Sequence, residues 1–193
     1  VTTDGTPWKW SAFPIHYKTD LGGLGSLDNA TVTATVVSSF AAWAAIATAT
    51  VSSVRDGDVG IDVTADNYAG VVANGGACGD GLTPIVYDTD GSLMDALYGA
   101  GAHLHAQGIT QLCGIYATGE ITQGEIIIND DAAVSLPRLT LVATHEIGHL
   151  LGLAHTQTNV VEAIDKTAAD DGVVPVMMPS GDAGTISPDD RAI

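Results

Sequence analysis

The chain has 193 residues, 46% of them hydrophobic, which is enough to build one sizeable core and too apolar for a disordered segment. Twenty-three acidic residues against six basic ones give a formal net charge of −17, a surface that disfavours nucleic acid and anionic membrane as partners. No apolar run reaches the roughly 18 residues that a membrane-spanning helix needs.

The N-terminus carries no basic region followed by an apolar one, so it does not read as a signal peptide. The chain starts at Val1 and not at Met, which reads as a mature or trimmed form whose targeting segment has already gone. Trp8 to Asp20 (WKWSAFPIHYKTD), rich in aromatic and β-branched residues, predicts a first strand, with His16 on its surface. Asp28 or Asn29 can then cap a long helix in which Val32, Val36, Phe40, Trp43 and Ala47 recur at spacings of three and four. Two short strands are predicted at Val51 to Val54 and Val59 to Val63, parted by the turn-like ArgAspGlyAsp.

Asn67 to Gly81 reads as a loop tethered by Cys78. The only other cysteine is Cys113, so a single intrachain pairing exists. The two residues are either a disulfide or a free buried pair, and the bridge fits a protein exported from the cell. A strand follows at Thr83 to Asp88, then a short helix capped by Asp90 or Ser92. Asp88 and Asp90 resemble the start of a calcium loop, yet the acidic continuation and distal Glu are missing, so turn and cap is the preferred role. His103 and His105 would share a face on a strand and could bind a second metal. With no further ligand nearby they read better as solvent-facing loop residues.

Leu112 to Ala117 and Glu120 to Asn129 predict two strands. The second ends in Asn129, Asp130 and Asp131, a cluster that can cap the connection or ligate calcium. Ser135 can cap the next helix, with Pro137 in its first turn. Its buried side is Leu139, Val142, Ala143, Ile147, Leu150 and Leu151, so the remaining side faces outward into a cleft.

That outward side carries HEIGHLLGLAH, His145 to His155. On a helix, His145 and His149 project from one face about a turn apart, and Gly152 followed by His155 supplies the exit turn and a third ligand. Three neutral imidazoles suit zinc, and three protein ligands leave one position open for water. Glu146 can take the proton of that water, whose pKa zinc lowers toward about 7, as it attacks a polarised carbonyl.

HExxHxxGxxH resembles the metzincin clan of zinc metallopeptidases. ValProValMetMetPro, with Met177 two positions before Pro179, is similar to the clan's Met-turn, and Thr156 after the third histidine favours the matrixin branch. FAAWAAIATATV with VGIDV is similar to the matrixin first helix and following strands, and SPDDRAI to the start of its closing helix. The resemblance implies an α+β, metzincin-like catalytic domain: a twisted, mostly parallel five-stranded mixed sheet, a long backing helix, an active-site helix and the start of a C-terminal helix. It implies a single domain over 1–193, with an N-terminal subdomain 1–152 and a smaller C-terminal one, 153–193. Met177 would be the hydrophobic floor, and Leu112, Gly114, Ile115 and Tyr116 the edge strand that holds substrate, with side-chain choice falling to a pocket near the Met-turn and the segment Pro179 to Gly184. The family's structural zinc element, a HisXaaAsp with two later histidines, is absent, so one zinc is expected.

The reading is therefore a secreted, bacterial-type zinc endopeptidase, a monomer acting on proteins or peptides, with calcium as an accessory ion. The alternative is a zinc-stabilised binding or adhesion module without turnover.

Overall fold

A computed structural model describes residues 5–72, 81–129, 135–155 and 176–177. The sheet has six strands: β1 (Lys9–Trp10), β2 (Ile15–Thr19), β3 (Ser53–Asp58), β4 (Pro84–Asp88), β5 (Gly108–Ile115) and β6 (Glu120–Asn129). Among the described residues four helices accompany it: α1 (Asn29–Ala44), α2 (Tyr68–Val71), α3 (Ser92–Tyr98) and α4 (Leu136–Leu150), with a 3-10 turn at Ala102–Leu104. The strand order is β1-β6-β4-β2-β3, every neighbour parallel, and β5 adds antiparallel to β6 at the remaining edge. This is the mostly parallel α+β arrangement that the sequence implies.

Both faces of the sheet centre are covered, so β4 is buried along its whole length and β6 from Gln123 to Asn129. Alternate residues go to opposite sides. Ile85, Tyr87, Ile126 and Ile128 join the main core with α1 and α4, whereas Val86 and Ile127 join a smaller core with Val63, Tyr68, Leu93 and Met94. On α1 the predicted stripe Val32, Val36, Phe40 and Trp43 is buried, and Asp28 caps the helix by accepting from the Thr31 amide at 2.8 Å. The helix ends at Ala44, short of Ala47.

The sheet has six strands in place of the five expected, β5 starts at Gly108 and ends at Ile115 instead of spanning Leu112 to Ala117, and three further elements differ from expectation. The first strand is broken into β1 and β2 between Trp10 and Ile15, where Pro14 has no amide hydrogen to give a ladder. In place of two strands around ArgAspGlyAsp there is one, β3, running through it. Pairing with β2 outweighs the local turn signal: Tyr17 faces Arg55 and Thr19 faces Asp58, so one extra residue bulges out, and Gly57 at φ +92° provides the backbone for it. The predicted loop 67–81 contains the short α2. The expected closing helix lies outside the described residues.

Candidate metal centre

Helix α4 is held in its middle and in its last turn by tryptophan side chains. Trp43 of α1 donates its indole N–H to the carbonyl of Thr144 at 2.9 Å, immediately before the first histidine. Trp10 of β1 does the same to Leu150 at 2.7 Å, in the last turn. The start is marked by Ser135, whose hydroxyl accepts from the Arg138 amide at 3.4 Å, and by Pro137. Leu139, Val142, Ala143, Ile147 and Leu150 are buried as predicted.

The exit from α4 is a Schellman turn. The Leu153 amide bonds to the Gly148 carbonyl and the Gly152 amide to that of His149, with Gly152 at φ +97°. A Cβ on Gly152 would stand 2.4 Å from the Trp8 carbonyl oxygen, so glycine is needed both for the dihedral and for the space. The turn brings His155 back over the helix. The three Nε2 atoms of His145, His149 and His155 then lie 3.1, 3.1 and 3.3 Å apart.

Two of the rings have fixed tautomers. His145 Nδ1 is 2.6 Å from the Val176 carbonyl oxygen and His149 Nδ1 is 2.8 Å from that of Leu153. A carbonyl only accepts, so each Nδ1 carries the hydrogen and each Nε2 presents a lone pair. Lone pairs crowded this closely repel unless a cation lies between them. Tetrahedral nitrogen ligands at 2.0–2.1 Å from one ion are themselves about 3.3 Å apart, so the donor set fits zinc in chemistry and in spacing. Burial holds the pKa of His149 low, and that of His155 is lowered by burial and then by neighbouring His149. Both shifts favour the neutral form that a metal requires.

Met177 is fully buried beneath the helix. A Cβ on Gly148 would lie 2.2 Å from its sulfur and 2.9 Å from the Trp43 ring, so the bare backbone of Gly148 lets floor and helix meet. Its neighbour Val176 supplies the carbonyl that orients His145.

Glu146 stands apart from the imidazole cluster and is 6% exposed. Burial pushes its carboxyl up to about 7, against a smaller opposing effect of the Thr110 hydroxyl, which lies 2.7 Å from Oε2. Leu112, Gly114 and Ile115 are on β5, and Tyr116 follows it, 71% exposed and edge-on to Trp8. The part of β5 that reaches Glu146 is nearer the strand's start, at Gly108 and Thr110. Among the described residues β5 pairs with β6 alone, so its outer edge is open.

Among the described residues the three histidines are the one group that could hold a metal. His103 bonds through Nδ1 to Asp95 at 2.7 Å, and His105 caps the 3-10 turn. The Asp88 carboxylate, buried, accepts from the Met94 amide at 2.8 Å and the Leu93 amide at 3.3 Å, and Asp90 accepts from Ser92 at 3.0 Å. Cys113 is buried on β5, while Cys78, Asp130, Asp131 and the segment Pro179 to Gly184 lie outside the described residues.

Thr110, Gly108 and the two tryptophan clamps have no sign in the sequence motif. The carbonyls of Leu153 and Val176 could not have one, because a backbone acceptor is the same for every residue type.

The family model described as Matrixin matches residues 88–168, from the end of β4 through β5, β6 and α4 to beyond His155. No curated protein matches the chain.

Proposed function

We propose that the chain carries a matrixin-like metzincin catalytic domain, that of a zinc-dependent peptidase, and that it is an endopeptidase with Glu146 as general base. The observation that supports this reading is the arrangement of three converging lone-pair nitrogens on and just after the helix that also carries the buried Glu146 carboxyl. His145, His149 and His155 would hold the zinc, which when bound supplies Lewis acidity toward a carbonyl and a water.

The chain's own groups do the rest. An extended peptide adds to the open edge of β5 through backbone hydrogen bonds, which places its carbonyls alongside Glu146 without selecting side chains. The Glu146 carboxylate takes a proton from the attacking water and returns it to the leaving amine, and burial, which raises its proton affinity, suits it to holding that proton between the two steps. The Thr110 hydroxyl holds Oε2, and Oε1 is left to carry the proton. The low dielectric that raises this pKa also strengthens the field acting on the reacting carbonyl.

The wider proposal is a secreted monomer of one catalytic domain, stabilised by a Cys78–Cys113 bridge. It places no calcium on Asp88, whose oxygens serve the amides of α3. A calcium role for Asp130 and Asp131 is tested by melting the zinc-loaded protein in a calcium-selective chelator, where an unchanged curve would exclude it.

The decisive experiment is digestion of a mixed peptide library by zinc-loaded wild type and Glu146→Ala, with identification of the cut sites. Internal cleavage by the wild type and a loss of roughly three orders of magnitude or more in the variant are expected. Equal activity in the variant would sink the mechanism. No cleavage by folded, zinc-loaded wild type would favour the binding module.

A further inference from the structure

Two residues of β5 that share a face meet the same side chain. Thr110 places its hydroxyl 2.7 Å from Glu146 Oε2 and 2.9 Å from the Glu146 carbonyl oxygen. Two positions earlier, Gly108 presents bare backbone: a Cβ there would stand 2.6 Å from Glu146 Cγ and 2.8 Å from Oε1. Period-2 geometry puts both on the side of β5 that faces α4, whereas Ile109 turns to the smaller core on the other side of the sheet. A glutamate has three side-chain torsions, and burial alone does not select among their wells. Here one oxygen is held by a hydroxyl, and the stem lies in a notch that any larger residue would fill.

We propose that Thr110 is a positioning residue for Glu146, and that β5 thereby joins two tasks in one element: its outer edge pairs with substrate while its α4-facing side sets the base. This rests on the endopeptidase reading. A peptide added to β5 is registered against the backbone of Gly108 to Ile115, and Glu146 is registered against side chains of that same backbone. The separation between scissile carbonyl and proton acceptor is thus set within one strand. Since a displacement of about 1 Å at a reacting centre can cost on the order of a hundredfold in rate, the hydroxyl of Thr110 should influence turnover far more than binding.

The test compares Thr110→Val, which keeps shape and loses the donor, with Thr110→Ser, which keeps the donor. A library peptide cut by the wild type serves as substrate, with kcat taken on the plateau of the pH profile. Thr110→Val should lose about tenfold or more in kcat with KM within about twofold, at unchanged zinc content and Tm, while Thr110→Ser stays near wild type. Crystals of Thr110→Val should show the Glu146 carboxylate rotated or spread over rotamers, and Gly108→Ala should give the same kinetic signature by filling the notch. Wild-type kcat with an unmoved Glu146 in Thr110→Val would overturn the proposal, as would a Thr110→Ser variant that falls as far as the valine. If zinc-loaded wild type cuts no peptide, the endopeptidase reading fails. The rotamer of Glu146 in Thr110→Val crystals then still decides the positioning role by itself.

Discussion

His149 donates from Nδ1 to the carbonyl oxygen of Leu153 at 2.8 Å, so a metal-facing ring is oriented by the residue that completes the helix-ending turn. The same turn that stops α4 also fixes which nitrogen of His149 faces the other two imidazoles. Termination and ring orientation are one local structure, built by Gly148, His149, Gly152 and Leu153.

Gly152→Ala therefore affects the metal without touching a ligand. An L side chain at φ +97° costs roughly 1–2 kcal/mol, and its Cβ would also press on the Trp8 carbonyl. We expect zinc affinity to fall about tenfold, read by competition with a chromophoric chelator. Wild-type affinity in this variant would show that the turn does not position His149.

Met177 is expected to be structural in its energetics. Met177→Ala leaves a cavity beneath α4 and should cost roughly 2–5 kcal/mol in denaturant unfolding, whereas Met177→Leu should cost less than about 1.5 kcal/mol. Equal losses in the two variants would argue that the sulfur itself, and not the filled volume, is what matters.

Glu146 links function and stability with opposite signs. Its folded pKa, about 7, lies above the ordinary carboxylate value of 4.5, so below that lower value both folded and unfolded forms are protonated and nothing is lost. As pH rises through the window between the two, the unfolded chain releases its proton first, and the metal-free protein loses stability, on the order of 3 kcal/mol once above about 7. Glu146→Gln should thus raise the Tm of metal-free protein at alkaline pH and leave it unchanged in acid. Activity should follow the reverse course, rising with pH as the carboxylate ionises, to a limb whose pKa zinc moves downward. A flat difference in Tm across pH would contradict this assignment.

The proposed bridge makes a simple chemical prediction. Alkylation of the denatured, unreduced chain should label neither Cys78 nor Cys113, and both after reduction. Reduction should lower stability by about 4 kcal/mol at most on the chain-entropy model. Labelling of two thiols without reductant would remove the bridge from the proposal.

The parts of this protein legible in its sequence are those in which side chains repeat with a period or ligate by type. The stripe Val32, Val36, Phe40 and Trp43 gave α1, and the spacing of His145, His149 and His155 gave the site. Pairing was less legible. Asp56 and Gly57 read as a turn, yet β2 draws them into β3, and no local signal competes with a neighbouring strand's hydrogen bonds. The residues that refine the site were hidden for a related reason: Thr110 is distant from Glu146 in the chain, and only the packing of β5 on α4 brings the two together. Asp20 is a similar case, a buried carboxylate that accepts from the amides of Gly22, Val63 and Tyr87 and would look like surface charge in a list of residues.

The chain's three tryptophans are all gathered around one helix. Trp43 and Trp10 bond to its carbonyls at mid-helix and in the last turn, and the Trp8 carbonyl abuts the exit turn at Gly152. Indole emission is sensitive to hydrogen bonding and to nearby water, so the indoles of Trp43 and Trp10 report on the helix they bond to, while that of Trp8 sits against Tyr116. Loading and stripping of the metal should therefore shift the emission of the unlabelled wild-type chain, which a fluorescence titration with zinc checks.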